Sequence, residues 1–295
     1  MDKMKDLDIN SLSESEWEKL SPHYGDVPRN KSLYQTTYLA KAILEINADV
    51  FVLQEVGGYV ALKNFNKYFL DDKYNVVLKE ENSYRGIFVG YLVSKKYSYE
   101  VESFSDRKFM LNNEEKFFSR NLNCLHVFEN ESKIASILGV HLKSQRNDET
   151  SKDVDSIETR SAEIKALFDI VESIQNSQKE PLIVAGDFNC DVSDSVRMES
   201  KYVSKEFVDI HQIKKSSDLE RATFVFFQSM GSVKVVQQLD FMFIHKNHVN
   251  IVNDSESGTV YYKNDYGDSL GLPSSLYDKS LNPSDHQPVI LKLKI

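Results

Sequence analysis

The residues able to do chemistry in this chain sit where apolar runs end. Pro181-Leu182-Ile183-Val184-Ala185 leads into Gly186-Asp187-Phe188-Asn189, so a carboxylate and an amide emerge where a buried strand leaves the core. Side chains alternate along extended backbone, which sets Asp187 and Asn189 on one face and Phe188 on the other. An acceptor beside a donor-acceptor suits holding a metal-bound water or a phosphate oxygen. The same four residues also fit a strand followed by an Asx turn. The pattern recurs four times. Val50-Phe51-Val52-Leu53 ends in Gln54-Glu55, and residues 134–140 end in His141. Residues 235–239 reach Asp240, with Phe241-Met242-Phe243-Ile244 behind it, and Ser284-Asp285-His286-Gln287-Pro288 opens a closing strand at 289–293. Burying an acid or a histidine is costly unless it is paired or bound to a cation, so scattered structural roles explain this recurrence poorly.

The elements that position these residues follow from hydrophobic spacing. Ser13 with Glu16 three residues on marks a helix start, and Leu33, Leu39, Ala40, Ile43 and Leu44 lie on one helical face that leads to a strand at 49–55. A helix near 60–69 follows Gly57-Gly58. Strands are expected at 74–79, 86–95, 97–104, 116–128 and 133–142, joined by short polar turns. Residues 145–156 read as an exposed loop. Ile157, Ile164, Leu167, Phe168 and Val171 then repeat at helical spacing before the strand at 181, which is a layered α/β arrangement. Residues 191–217 should hold a helix and short connections, and 253–283 a long loop of a length usually tied to function or disorder.

The chain has 295 residues, 41% of them hydrophobic and 11% aromatic, enough for one large domain with a sizeable core. A net charge of −9 disfavours broad electrostatic capture of nucleic acid and argues against a protein that coats DNA. It leaves a nuclease open, because a bound cation inverts the local potential. No apolar run approaches the length of a membrane helix, and residues 1–6 are charged, without a signal-peptide core. A cytoplasmic location is the default reading. Cys124 and Cys190 give no disulfide framework and read as buried thiols.

Gln54-Glu55, Gly186-Asp187-Phe188-Asn189, Leu239-Asp240-Phe241 and Ser284-Asp285-His286, in this order and spacing, resemble the successive motifs of the endonuclease/exonuclease/phosphatase family. The resemblance runs from about residue 55 to the C-terminus. It implies an α/β four-layer sandwich, two central mixed β-sheets flanked by helices, in a single domain over residues 1–295. It also implies divalent-metal hydrolysis of phosphate esters with Mg²⁺ or Mn²⁺, which suit hard oxygen ligands. Carried over residue by residue, it makes Glu55 and Asp285 metal ligands. Asp187 and Asn189 would orient the attacking water and the phosphate, and Asp240 would hold His286, which acts on the phosphate as base or charge donor. His141 would contact a phosphate oxygen or protonate the leaving group. Arg120, in Phe117-Phe118-Ser119-Arg120, matches a phosphate-contacting arginine of the deoxyribonuclease-like members; a solvated edge arginine fits equally well. His23, His126, His211, His245 and His248 have no motif around them.

The chain departs from the family pattern at three places. Gly86 stands where an acid supports the first histidine, and Gly57 where an arginine contacts the groove. Residues 1–9 hold no apolar run like the family's first strand, which ends in a site asparagine. Asn10, preceded by alternating acids, is therefore not expected to be that asparagine, and a strand position beside Glu55 or Asp285 should be uncovered. These departures bear on substrate choice more than on hydrolysis. The expected function is a metal-dependent phosphodiesterase, an endonuclease on DNA or other nucleic acid, acting as a monomer on nucleic acid or another phosphodiester. The alternatives are a phosphatase of inositol phosphates or phospholipids, whose Cys-Asp-Arg-type motif is absent here, and a non-catalytic binding module.

Overall fold

The structure is a computed structural model and describes residues 11–20, 31–145, 153, 155–228 and 233–295. The chain begins α1 (Glu14–Leu20), α2 (Leu33–Ile46), β1 (Val50–Val56), α3 (Tyr59–Phe69), β2 (Tyr74–Val77), β3 (Phe88–Ser94) and β4 (Ser98–Ser103). The middle holds β5 (Lys108–Leu111), β6 (Glu114–Phe117), β7 (Asn123–Glu129), β8 (Ser132–His141), α4 (Ile157–Asn176) and β9 (Leu182–Asp187). There follow β10 (Phe207–Asp209), α5 (Ile210–Lys214), α6 (Asp218–Arg221), β11 (Phe224–Gln228), β12 (Val233–Gln237), β13 (Asp240–His245), β14 (Gly258–Thr259), α7 (Leu276–Leu281) and β15 (Val289–Ile290).

Local signals set the helix ends. Ser13 and Glu16 exchange hydrogen bonds at the start of α1, as their spacing implied. Ser32 and Gln35 do the same for α2, which stops at Asn47 in the left-handed region. The apolar stripe of α4 buries Ile164, Leu167, Phe168 and Val171 against Leu138, Val140, Val184, Phe241 and Phe243 of a six-stranded sheet. That sheet runs β10-β13-β9-β8-β7-β4; only β8 and β9 are parallel, so it is mixed. A second sheet, β1-β3-β2, is antiparallel and is covered by Trp17, Ala40, Ile43, Leu62 and Phe65 of α1 to α3. Val77, Tyr91 and Val93 of this sheet meet Leu125 and Val127 of the larger one. The order is helix, sheet, sheet, helix: the expected four-layer α/β sandwich.

The Tyr91 hydroxyl bolts the two sheets together. It donates to the Asn123 carbonyl and accepts the Gly139 N–H at 2.8 Å. Any Cβ at position 139 would lie 2.7 Å from that hydroxyl, so glycine is what lets the layers close.

Several expectations are corrected. Residues 116–128 do not form one strand: β6 ends at Phe117, β7 starts at Asn123, and Arg120 lies in the connection between them. Side-chain hydrogen bonds, rather than a strand ladder, tie this connection to its neighbours. Glu163 accepts the Ser119 N–H, and Asn121 pairs with both polar groups of Val89. Residues 235–237 belong to the β11–β12 hairpin, 238–239 connect it onward, and Asp240 opens β13 rather than closing that run. The closing strand shortens to Val289–Ile290, paired with β14. The 253–283 region is not all loop, since it contains β14 and α7. Residues 1–10, with Asn10, and residues 146–152 and 154 of the 145–156 loop lie outside the described residues. Among the described residues β1 pairs only with β3, and a cavity of about 590 Å³ separates its other edge from Val289, Ile290 and Leu291. Both cysteines are buried and free. No described helix is long and apolar enough to cross a membrane.

Candidate active site

The candidate residues form a row across three neighbouring strands. His141 at the end of β8 is registered with Asp187 at the end of β9, and Asp187 with Asp240 at the start of β13. Registered neighbours in a sheet project to the same face, so the ladder itself gathers the three side chains. His141 Nε2 lies 3.7 Å from Asp187 Oδ2. His286 joins the row from the C-terminal segment, its Nδ1 2.7 Å from Asp240 Oδ2. Donor atoms of Asp187, Asp240 and His286 all lie within 4.8 Å of one another. Thr223 locks this corner. Its hydroxyl accepts the N–H groups of Leu239 at 3.0 Å and Asp240 at 3.1 Å, while its carbonyl accepts the Gln287 N–H at 2.7 Å.

At Gly186-Asp187-Phe188-Asn189 the strand ends in the Asx turn that the sequence offered as one of two readings. Asp187 Oδ1 accepts the Asn189 N–H at 2.7 Å, an Asx turn, and Asn189 takes φ 54°. The Asn189 side chain donates Nδ2 to the Leu142 carbonyl at 3.0 Å, which fixes the amide in the site. Gly186, at φ 143°, is required because a Cβ would run into the Val140 carbonyl. Phe188 points away, between Phe241 and Phe243. Glu55 also has a positive φ, 57°, at a bulge in β1, so two candidate residues sit in strained backbone.

Glu55 and Asp285 line the same cavity as His141, Asp187, Asn189, Asp240 and His286 but stand outside the tight group of three. Glu55 is exposed, and Asp285 is paired with Lys279 at 3.7 Å. Lys279 also covers the Phe224 ring and donates to the Val225 carbonyl at 2.9 Å. Lys31 lines the cavity too; burial lowers its pKa, against the opposing pull of Asp285 and Glu55. A donor set of four carboxylates, with Asp187 buried, Asp240 half-buried and Glu55 and Asp285 at the rim, fits a hard divalent cation.

Burial works against a charge on His286, but the Asp240 carboxylate outweighs it and pushes the imidazole up to about 10. Burial raises Asp187 to about 7, with His286 pulling it down and Asp240 pushing it up. His141 goes the other way, to about 3, through burial and then the Arg120 charge. The row therefore holds one imidazolium, one neutral imidazole and an acid that titrates near neutrality. Arg120 is buried, donating Nη1 to its neighbouring Ser119 carbonyl at 2.7 Å. Arg120 Nε and His141 Nδ1 are buried without a hydrogen-bond partner among the described residues. This favours the phosphate-contact reading of Arg120 over a solvated edge.

Sequence reasoning missed Lys31, Lys279, Thr223 and Glu163. None stands in a motif, and Thr223 and Glu163 act on backbone groups far away in the chain, which leaves no local signal.

The sequence model described as "Endonuclease/Exonuclease/phosphatase family" matches residues 23–286. No curated protein matches the chain. Among solved structures, truncated Caenorhabditis elegans TDP2 is similar at TM-score 0.60 and 18% identity, covering 86% of this chain and 88% of its own. D. rerio TDP2 complexed with single strand DNA product gives TM-score 0.59 and 17% identity, covering 88% and 90%. The Bacteroides thetaiotaomicron mannosyl-6-phosphatase gives TM-score 0.52 and 15% identity, covering 88% and 91%.

Proposed function

Because the chain belongs to the endonuclease/exonuclease/phosphatase family and is by that membership a hydrolase of phosphoester bonds, we propose that it cleaves phosphodiesters of nucleic acid, as an endonuclease using Mg²⁺ or Mn²⁺. The observation that carries this reading is the Asp240–His286 pair, 2.7 Å apart and in register with Asp187. Glu55 and Asp285 would hold the cation. When bound, it would neutralise phosphate oxygens and make water a better nucleophile. His286, kept protonated by Asp240 at Nδ1, presents Nε2–H to a phosphate oxygen as charge develops there. Asp187 Oδ2 accepts a proton from the attacking water, its carboxyl held near neutrality by burial. Asn189, anchored through Nδ2, turns its amide oxygen toward that water. Arg120 Nε donates to a non-bridging oxygen, and neutral His141 contacts a second oxygen or the leaving group.

The test is a panel of plasmid DNA, single-stranded DNA, RNA, inositol phosphates and bis(p-nitrophenyl) phosphate. Cleavage of the nucleic acids should vanish with chelator and return with Mg²⁺ or Mn²⁺. Asp187→Asn and His286→Ala should each lower kcat on the order of 10²-fold or more. Turnover confined to the inositol phosphates would replace the nuclease reading with the phosphatase one, and full activity after exhaustive chelation would remove the metal.

A further inference from the structure

Glu163, in the second turn of α4, is a buried acid that the chemistry above does not use. It is 0% exposed, no lysine or arginine lies within ion-pair distance of it among the described residues, and the Arg120 charge acts on it from further off. Its carboxylate is spent on two backbone groups. Oε1 accepts the Ser119 N–H at 2.7 Å and Oε2 accepts the Lys143 N–H at 2.7 Å. Ser119 lies in the irregular segment that carries Arg120, and Lys143 in the segment that follows His141 at the end of β8. Ser119 precedes Arg120, whose Nη1 returns to the Ser119 carbonyl at 2.7 Å. Lys143 lies two residues past His141 and follows Leu142, whose carbonyl holds the Asn189 amide at 3.0 Å. The opposite face of the Lys143 residue is held as well, because Arg160 Nη1 donates to its carbonyl at 3.1 Å.

A buried carboxylate of this kind is hard to explain by stability alone. An apolar side chain would fill the space, and the two N–H groups could pair elsewhere if their segments were free to move. What only a bidentate acceptor achieves is a fixed spacing between the segments. We propose that Glu163 is a positioning residue that sets, from behind, the distance between the Arg120 guanidinium and the Asn189–His141 side of the site, and so the grip on the substrate phosphate. This rests on the phosphate-binding role given to Arg120 above. Two acceptor oxygens are needed for two donors. Glutamine keeps the shape but turns an NH₂ toward one of the N–H groups, so Glu163→Gln frees one segment while sparing the core.

The experiment is a double-mutant cycle on the full chain with Mg²⁺ and bis(p-nitrophenyl) phosphate. Wild-type turnover and a raised KM in Arg120→Ala test the reading of the site itself. Given those, Glu163→Gln should raise KM on the order of tenfold with a smaller change in kcat. In the Arg120→Ala background the same substitution should change KM by no more than about twofold, because its effect travels through Arg120. Additive effects, or a fall in kcat at constant KM, would overturn the proposal. Two readouts do not need turnover. Inorganic phosphate should bind Glu163→Gln more weakly than wild type by calorimetry. On the wild-type chain, amide exchange at Ser119 and Lys143 should be as slow as in β8. Equal phosphate affinity, or exchange of either amide at loop rates, would sink the assignment whether or not the variant folds.

Discussion

The charge state of His286 decides what the row can do, and it is open to direct measurement. Asp240 holds the imidazolium at about 10 in the folded chain against 6.5 for the free side chain. Below pH 6.5 both folded and unfolded chains carry the proton, and the stabilisation by Asp240 is fully present. Between 6.5 and about 10 the unfolded chain has released it while the folded chain still binds it, so stability falls with rising pH and the contribution is gone above the folded value. Asp187, raised to about 7 from 3.8, has the same sign but gives up its contribution mostly below that window. In metal-free solution the urea midpoint of wild type should therefore exceed that of Asp240→Asn most below pH 6.5. The gap should close as pH rises toward 10, and one that stayed constant over this range would mean that Asp240 does not hold the His286 proton. The same burial that raises Asp187 lowers His141, because burial disfavours whichever form is charged. One register row thus presents two histidines in opposite states at neutral pH.

Among the elements, β13 and the C-terminal segment matter most, because Asp240 and His286 reach each other only if both are placed. Thr223, between α6 and β11, places them. It is fully buried, takes two N–H groups from the start of β13 on its hydroxyl, and takes the Gln287 N–H on its carbonyl. Thr223→Val keeps the volume and removes the hydroxyl, leaving two buried donors unpaired. We expect a loss of about 1–3 kcal/mol in stability by chemical denaturation. Turnover should fall together with the Asp240–His286 hydrogen bond, visible as a shifted His286 proton resonance. Unchanged stability and an unshifted resonance would show that the hydroxyl does nothing there. None of this is written locally. Helices α1, α2 and α4 were legible because capping and a 3.6-residue stripe are local properties, and the strand-end acids were legible because β9 and β1 are continuous apolar runs that stop at them. Arg120 was misplaced because its neighbours are tied to residues far away in the chain: Glu163 accepts the Ser119 N–H, and the Asn121 side chain reaches Val89 of β3. The closing strand was overdrawn because pairing depends on a partner: β14 offers only two residues, and no pattern in 289–293 could reveal that. The row His141–Asp187–Asp240 was visible as three separate strand ends, but its register comes from the sheet order.

For the molecule as a whole, a net charge of −9 pulls against the polyanionic substrate proposed for the site. The cations near the row are few: Arg120 is buried, Arg85 is exposed and adjacent enough that its charge lowers the pKa of both Arg120 and His141, and Lys279 is engaged with Asp285. Among the described residues Arg120, Arg85, Lys31 in the cavity and the His286 imidazolium are left to take phosphates, so equilibrium binding of duplex DNA should weaken only gently with salt, with a log–log slope of about −2 to −4. Arg120→Ala should bring that slope about one unit closer to zero, whereas an unchanged slope would remove Arg120 from the phosphate contacts. The association rate obeys a different field. Beyond a Debye length, about 10 Å at 0.1 M salt, the approaching strand meets the overall negative charge rather than these few cations, and that repulsion is what salt screens first. Raising salt from low concentration should therefore speed association while it weakens affinity, which puts the affinity loss in a steeper rise of the dissociation rate. Stopped-flow measurement of both rates over the same salt series separates the two fields. An association rate that falls with salt, as for a basic nuclease, would mean that the local cations rather than the net charge steer the encounter.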